Sequence, residues 1–111
     1  MLNFCKSLLV KEIYLVTQRF PKEEIFGLTA QLRRAAVSIP SNIAEGRGRA
    51  TKGEFKQFLG NARGSLGEVE TQVSIARSLD YLSEADANLM LPLLEDLGRS
   101  LNALISSVRQ N

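Results

Sequence analysis

Histidine and tryptophan are absent from this sequence of 111 residues, and cysteine occurs once. Without histidine, the hydroxyls of Ser38 and Ser41 have no imidazole base to activate them as nucleophiles, and imidazole metal ligands are excluded. The single cysteine, Cys5, excludes an internal disulfide, which fits a reducing compartment. Its apolar surroundings favour a packed thiol over a reactive one. With no clustered Asp either, we expect no catalytic residues, no metal and no cofactor.

Long apolar runs are also missing. No stretch approaches the ~18 residues that a membrane-spanning helix needs, and the N-terminus is too polar to resemble a signal peptide. Hydrophobic residues make up 44% of the chain and charged residues 23%, as is ordinary for globular proteins. We therefore expect a cytoplasmic protein with one domain over residues 1–111.

Apolar residues recur with helical spacing along almost the whole chain, and no strand-like alternation of useful length occurs. The pattern predicts helices over Leu2–Arg19, Leu28–Gly46 and Lys52–Leu79, and a last helix from Ser83 onward. Thr51 with Glu54, and Ser83 with Asp86, have the spacing of N-terminal caps. The connection through Asp80 and Tyr81 is so short that the helices on either side of it must run antiparallel. The predicted fold is an all-α, antiparallel up-down-up-down four-helix bundle. Its apolar seams are Cys5, Leu9, Ile13, Val16 and Phe20; Leu28, Leu32, Ala35, Ile39 and Ile43; Phe55, Leu59, Ala62, Leu66, Val69, Val73 and Ala76; and Ala87, Met90, Leu94, Leu97, Leu101, Leu104 and Val108.

The segment AVSIPSNIAEG, residues 36–46, contains a proline but keeps its helical phase. We interpret it as the second half of the second helix, kinked at Pro40, with Ser38, Ser41 and Asn42 satisfying backbone groups nearby. Gly46 is predicted to end this helix in a left-handed conformation. The loop Gly-Arg-Gly-Arg that follows lacks the strand, the glycine spacing and the Lys-Ser/Thr pair of a P-loop.

Charge is unevenly distributed although the net charge is only +2. Residues 19–63 carry nine basic and four acidic side chains, whereas residues 64–111 carry three and seven. Arginines beside a helix N-terminus suit phosphate oxygens, which predicts binding to a nucleic-acid backbone. The alternative is that opposite charges simply pair between neighbouring helices. The candidate nucleic-acid-binding residues are Arg33, Arg34, Arg47, Arg49, Lys52, Lys56 and Arg63.

A second stripe of small residues runs along the third helix, nearly opposite its apolar seam. Three glycines inside one helix each cost about 1 kcal/mol relative to alanine. The stripe is either a tolerated solvated face or a surface that another subunit approaches closely, and we favour a subunit interface. Its members are Gly60, Gly64, Gly67, Thr71, Ser74 and Ser78, of which the first four are the candidate interface residues.

Three segments, GLTAQLRRAAVSIPSNIAEGRGR (27–49), KGEFKQFLGNARGSLGEVETQ (52–72) and ARSLDYLS (76–83), closely resemble the bacterial four-helix-bundle proteins called 23S rRNA intervening-sequence proteins. That group includes accessory proteins of diversity-generating retroelements. The resemblance implies a cytoplasmic bundle that forms a ring-shaped homopentamer, with a basic surface for nucleic acid. In the retroelement branch it also implies a reverse-transcriptase partner, and it implies no enzyme activity. Arg33, Arg34, Arg47 and Arg63 match recurrent basic residues of the family, whereas Asp80 stands where a glycine often ends the third helix.

The leading hypothesis is a non-enzymatic, oligomeric protein that binds RNA or DNA through its basic surface. The alternative is a scaffold or accessory subunit that contacts a partner protein through the small-residue stripe and the acidic last helix. An enzyme ranks third, because it would need a convergent polar pocket that the sequence does not indicate.

Overall fold

The computed structural model describes the backbone of residues 2–109 and the side chains of residues 6–108, so the predicted packing of Cys5 lies outside the described side chains. In this part of the chain the regular structure is entirely helical, which confirms the all-α prediction. The elements are α1 (Leu2–Thr17), a 3-10 turn (Lys22–Glu24), α2 (Leu28–Arg47), α3 (Lys52–Ser78) and α4 (Glu84–Arg109).

The predicted seams form one hydrophobic core. Leu9, Ile39, Leu66 and Leu97, one from each helix, are completely inaccessible to solvent. Only the seam residues toward the helix ends, such as Phe55, are partly buried. Helical spacing therefore identified the inward face of every helix, because residues three and four apart lie on one side of an α-helix.

The four helices pack in a closed order, α1 against α2, α2 against α3, α3 against α4 and α4 against α1. Between α2 and α3, the hydroxyls of Ser38 and Ser65 lie 2.8 Å apart, and the amide of Gln72 donates to Gln31 at 3.5 Å. A later residue of α2 thus meets an earlier residue of α3, which is compatible with the predicted antiparallel arrangement. The bundle is elongated, with extents of 46 × 25 × 19 Å.

Pro40 lies inside α2, and the helix continues through it as predicted. The hydroxyl of Ser41 donates to the carbonyl of Val37 (2.9 Å), and the amide of Asn42 donates to the carbonyl of Ser38 (2.8 Å). The carbonyls of Val37 and Ser38 come directly after that of Ala36, which lacks a helical donor because Pro40 has no N–H. Side-chain bonds therefore support the backbone on the turn that the proline weakens.

The prediction for Gly46 is wrong. The helix extends to Arg47, Gly46 is buried within it, and no glycine in the described residues has a positive φ. The backbone bonds of Gly48 to Glu45 (3.2 Å) and of Arg49 to Gly46 (3.1 Å) close the last turn instead. Close packing against α3, and not backbone conformation, explains why residue 46 is a glycine.

The end of α3 is marked by a residue in the left-handed conformation, Asp80. Asp80 has φ 61°, and the backbone N–H groups of Asp80 and Tyr81 donate to the carbonyls of Arg77 (3.1 Å) and Ala76 (2.9 Å). This is the paired bonding of a Schellman motif, usually made with glycine. Both predicted caps are confirmed, since Thr51 accepts from the backbone N–H of Glu54 (3.2 Å) and Ser83 accepts from that of Asp86 (3.0 Å).

Candidate nucleic-acid interface

At the end of the bundle that carries the α2–α3 loop, the packing of α2 on α3 depends on Gly46. A Cβ atom at this position would lie 2.8 Å from Cβ of Phe58 and 2.9 Å from Cδ1 of Phe55, closer than packed side chains tolerate. The last turn of α2 therefore sits directly on two aromatic residues of α3. This contact brings the cations on either side of the loop, Arg47 and Lys52, to the same end of the molecule.

A cleft of about 350 Å³ opens there, between the loop and α4. Its lining combines three cationic side chains with an apolar floor of Phe55 and Leu104, both partly buried against the core. Among the described residues that line it there is no carboxylate. The lining residues are Gly46, Arg47, Arg49, Ala50, Thr51, Lys52, Phe55 and Leu104.

Arg49 is held in place by two contacts. Its guanidinium pairs with the carboxylate of Glu45 at 2.9 Å, and it lies 4.8 Å from the centre of the Phe58 ring. Both partners are on the protein surface, so the ion pair contributes little to stability. It does fix a planar, fork-shaped donor at the mouth of the cleft, where such a group suits phosphate oxygens.

Lys6, from α1, joins the positive charge at this end. Partial burial, together with the positive charge of Arg47, lowers the pKa of Lys6 below its ordinary value. Among the described side chains, no carboxylate comes within ion-pair distance of Lys6 or Arg47. The positive charge of Arg47 therefore adds to burial in disfavouring the charged form of Lys6, an effect that a bound anion would offset. No spacing in the sequence links Lys6 to Arg47, and only the packing of α1 beside α2 reveals it.

The other four candidate residues do not join the cleft. Arg33 lies mid-helix in α2, where it donates to the hydroxyl of Thr17 (2.9 Å) and stacks 4.8 Å from the Tyr14 ring centre. Arg63 of α3 approaches Glu70 at 3.8 Å. Arg34 and Lys56 are exposed. Arg47 lies fourteen positions after Arg33 in the same helix, about 20 Å along the axis, so the seven candidates form no single patch.

The small-residue stripe of α3 faces away from the core. Apart from the neighbouring backbone of α3 itself, no described atom lies within 4 Å of the Cβ position of Gly60, Gly64 or Gly67, and Thr71 is exposed. A groove of about 560 Å³ runs beside it, lined by Gln31, Gly67, Glu68, Thr71, Gln72 and Ile75. Gln72 is only 8% exposed, and its side-chain Oε1 has no hydrogen-bond partner among the described residues.

At the end of the bundle opposite the α2–α3 loop, acidic residues make structural contacts. One oxygen of the Glu24 carboxylate accepts from the backbone N–H of Leu28 (3.1 Å), and the other accepts from the Tyr81 hydroxyl (3.1 Å). The latter bond raises the pKa of the Tyr81 phenol, with smaller contributions from desolvation and the nearby acids. Arg19, just after α1, pairs with Asp86 of α4 at 2.5 Å.

The serines of the AVSIPSNIAEG segment, residues 36–46, are engaged in structural bonds. Ser38 bonds Ser65 and accepts from the Asn42 amide (2.9 Å), while Ser41 donates to the backbone. Within the described residues, no three His, Cys, Asp or Glu side chains come together as a metal site would require. The cleft at the α2–α3 loop presents mainly cationic and apolar side chains to a ligand.

These features define a small all-α protein, a four-helix bundle with a cationic cleft at one end. The chain belongs to the family of 23S rRNA-intervening sequence proteins, whose model matches residues 6–103. This confirms the resemblance drawn from the three sequence segments. The comparison with curated proteins gave no match. In the part of the chain that the structure describes, no helix has the length and apolar character required to cross a membrane.

Proposed function

We propose that this protein is a non-enzymatic, cytoplasmic bundle protein that binds the backbone of RNA or DNA. The observation that carries the proposal is the cleft at the α2–α3 loop, where Arg47, Arg49 and Lys52 surround one cavity and Lys6 adds charge beside it. Lys and Arg bind nucleic acid chiefly by neutralising phosphates and releasing counterions, which requires no base-specific contacts.

The protein acts as a homo-oligomer in this proposal, an antiparallel up-down-up-down bundle repeated five times in a ring. Support comes from the small-residue stripe, whose glycines leave open space on the outer face of α3. A neighbouring helix gains close contact there, and the Gln72 oxygen in the adjoining groove gains a possible donor. Repetition around a ring multiplies the field of one basic cleft, since each subunit presents the same charges.

The decisive experiment is a salt titration of binding to a labelled, structured RNA and to a DNA duplex of matched length. Affinity at low salt with a steep log–log dependence on salt is the expected result, and preference for one probe identifies the nucleic-acid class. Absence of binding to both probes, even at low salt, contradicts the proposal. A partner recovered in stoichiometric amount after nuclease treatment then supports the scaffold alternative.

Charge reversal at Arg47 tests the cleft itself. We expect Arg47→Glu to weaken binding to every sequence and to reduce the salt slope by about 1 or more, because a phosphate contact is lost. Arg77→Glu makes the same charge change at an exposed position near the opposite end of α3. Equal losses in both variants would show that net charge matters and that the cleft does not.

Gly64→Leu tests the oligomer. The bulky side chain has room in the isolated bundle, so we expect it to fold normally but to lower the native mass measured by light scattering. Gly64→Ala is the matched control, since it brings a similar gain in helix propensity with one methyl group. A wild-type mass for Gly64→Leu would remove the stripe from the interface.

A further inference from the structure

We infer that the cleft at the α2–α3 loop holds one unpaired nucleotide, with its base on Phe55 and Leu104 and its phosphate at Arg47. This inference rests on the proposed function and makes it more specific. General backbone binding requires only a positive surface, on which a duplex and a single strand compete. A cleft with an apolar floor adds a contact that only an exposed base can make.

The size of the cleft limits what can enter. Its volume of about 350 Å³ is at the lower end of the range for small-molecule sites, roughly 300–1,000 Å³. A double helix is too wide to insert into it, and a base within a duplex keeps its faces stacked on its neighbours. An unpaired base, in a loop, a bulge or an end, can leave the stack and enter.

The floor is apolar and fixed. Phe55 is held by the close approach of Gly46, whose missing Cβ would lie 2.9 Å from the ring edge. Leu104 of α4 completes the floor from the facing helix and packs against the core. A preorganised aromatic surface binds a base without first losing side-chain freedom, and it accepts any base because all bases have a π face.

Cationic side chains lie in the same cleft as the apolar floor, as the phosphate attached to a bound base requires. Arg47 lines the cleft, and its positive charge, after partial burial, contributes to the lowered pKa of Lys6. Of the two acids flanking the loop, Glu45 pairs with Arg49 and Glu54 accepts from the Thr51 hydroxyl (3.1 Å), and neither is among the described residues that pair with Arg47 or Lys6. Cation and apolar floor thus share one cavity, which matches the two parts of a nucleotide.

Binding of a labelled oligothymidylate and of its blunt duplex with oligoadenylate, at equal length, tests the inference. We expect the single strand to bind roughly tenfold more tightly than the duplex, as one stacked base accounts for. Phe55→Leu keeps the site apolar but removes the aromatic face, so it should abolish most of that difference. The control is Phe26→Leu, the same change at a side chain that is 95% exposed near the opposite end.

The outcomes separate the two proposals. Equal affinity for both probes, with no effect of Phe55→Leu, overturns the nucleotide inference and leaves backbone binding intact, whereas binding of neither probe removes both. If Phe55→Leu fails to fold by circular dichroism, competition on the wild-type protein decides. Thymidine monophosphate should displace the single strand at a concentration about tenfold below that of inorganic phosphate, and equal potency would show that the base makes no contact.

Discussion

The two ends of this bundle use charge in opposite ways. At the end with the 3-10 turn and the α3–α4 connection, Glu24 and Asp86 bind the Tyr81 hydroxyl and the Arg19 guanidinium, and Glu24 also caps α2. At the other end, Lys6 and Arg47 are gathered without a described acidic partner. Charges that satisfy one another fasten helices together, whereas charges left facing a cleft are available to a ligand.

Close packing also differs between the ends. At the end with the α3–α4 connection, Asp80 takes the left-handed conformation that usually favours glycine, and it forms the turn between the two helices. At the end with the α2–α3 loop, Gly46 has an ordinary helical conformation, and glycine is required there because Phe55 and Phe58 leave no room for a Cβ atom. Asp80 therefore occupies the turn where glycine is usual, while Gly46 lets the last turn of α2 pack on α3 beside the cleft.

Gly46→Ala sharpens this comparison most. The added methyl overlaps Phe55 and Phe58, so we expect the free energy of unfolding to fall by about 1–3 kcal/mol in urea denaturation. Gly98→Ala is the matched control, since its Cβ would be 3.6 Å from Leu66, an ordinary contact, and alanine favours the helix by up to about 1 kcal/mol. If Gly46→Ala were as stable as the control, the close packing described at this end would be wrong.

Removing one arginine from each end is the next largest test. Arg19→Gln should lower stability by up to about 1 kcal/mol, and less at high salt, because its exposed guanidinium pairs with Asp86. Arg47→Gln should lower it less or not at all, since repulsion with Lys6 is relieved. The measurement is urea unfolding of both variants at low and at high salt. Equal, salt-sensitive losses would mean that the basic end is also held together by ion pairs.

The smallest effect concerns the titration of Tyr81. Its hydrogen bond to Glu24 raises the folded-state pKa above the unfolded value of about 10. The stabilisation is therefore complete below that value and is lost as pH rises through the folded pKa. The chain has two tyrosines, so phenolate absorbance in a Tyr14→Phe background reports Tyr81 alone.

In that background we expect Glu24→Gln to lower the midpoint of the Tyr81 titration toward its ordinary value. Glu84→Gln provides the control, since it removes a charge from the start of α4 without touching the phenol's hydrogen bond. An unchanged midpoint in the Glu24 variant would contradict the contact assigned to this end.

Prediction from sequence succeeded where one helix supplies all the information. The seam of α3 is buried from Leu59 to Ala76, and Thr51 caps the helix as its spacing to Glu54 indicated. It failed at Gly46, because a glycine near a helix end fits both a left-handed stop and a close contact. Only the position of Phe55 and Phe58 distinguishes the two.

The candidate binding residues followed the same division. Composition identified a basic middle of the chain, and Arg47, Arg49 and Lys52 do surround one cleft. It could not show that Arg33 stacks on Tyr14, or that Lys6 comes from α1 to lie near Arg47. Whether these charges bind nucleic acid stays a prediction.

The sequence by itself determined the helices, their buried faces and the N-terminal caps at Thr51 and Ser83, because hydrogen bonds and apolar spacing within a helix are local properties. The tertiary structure decided which charges are paired and which surround a cavity. That outcome depends on side chains distant in sequence, such as Lys6, Arg47 and Leu104, which come together only when the helices pack.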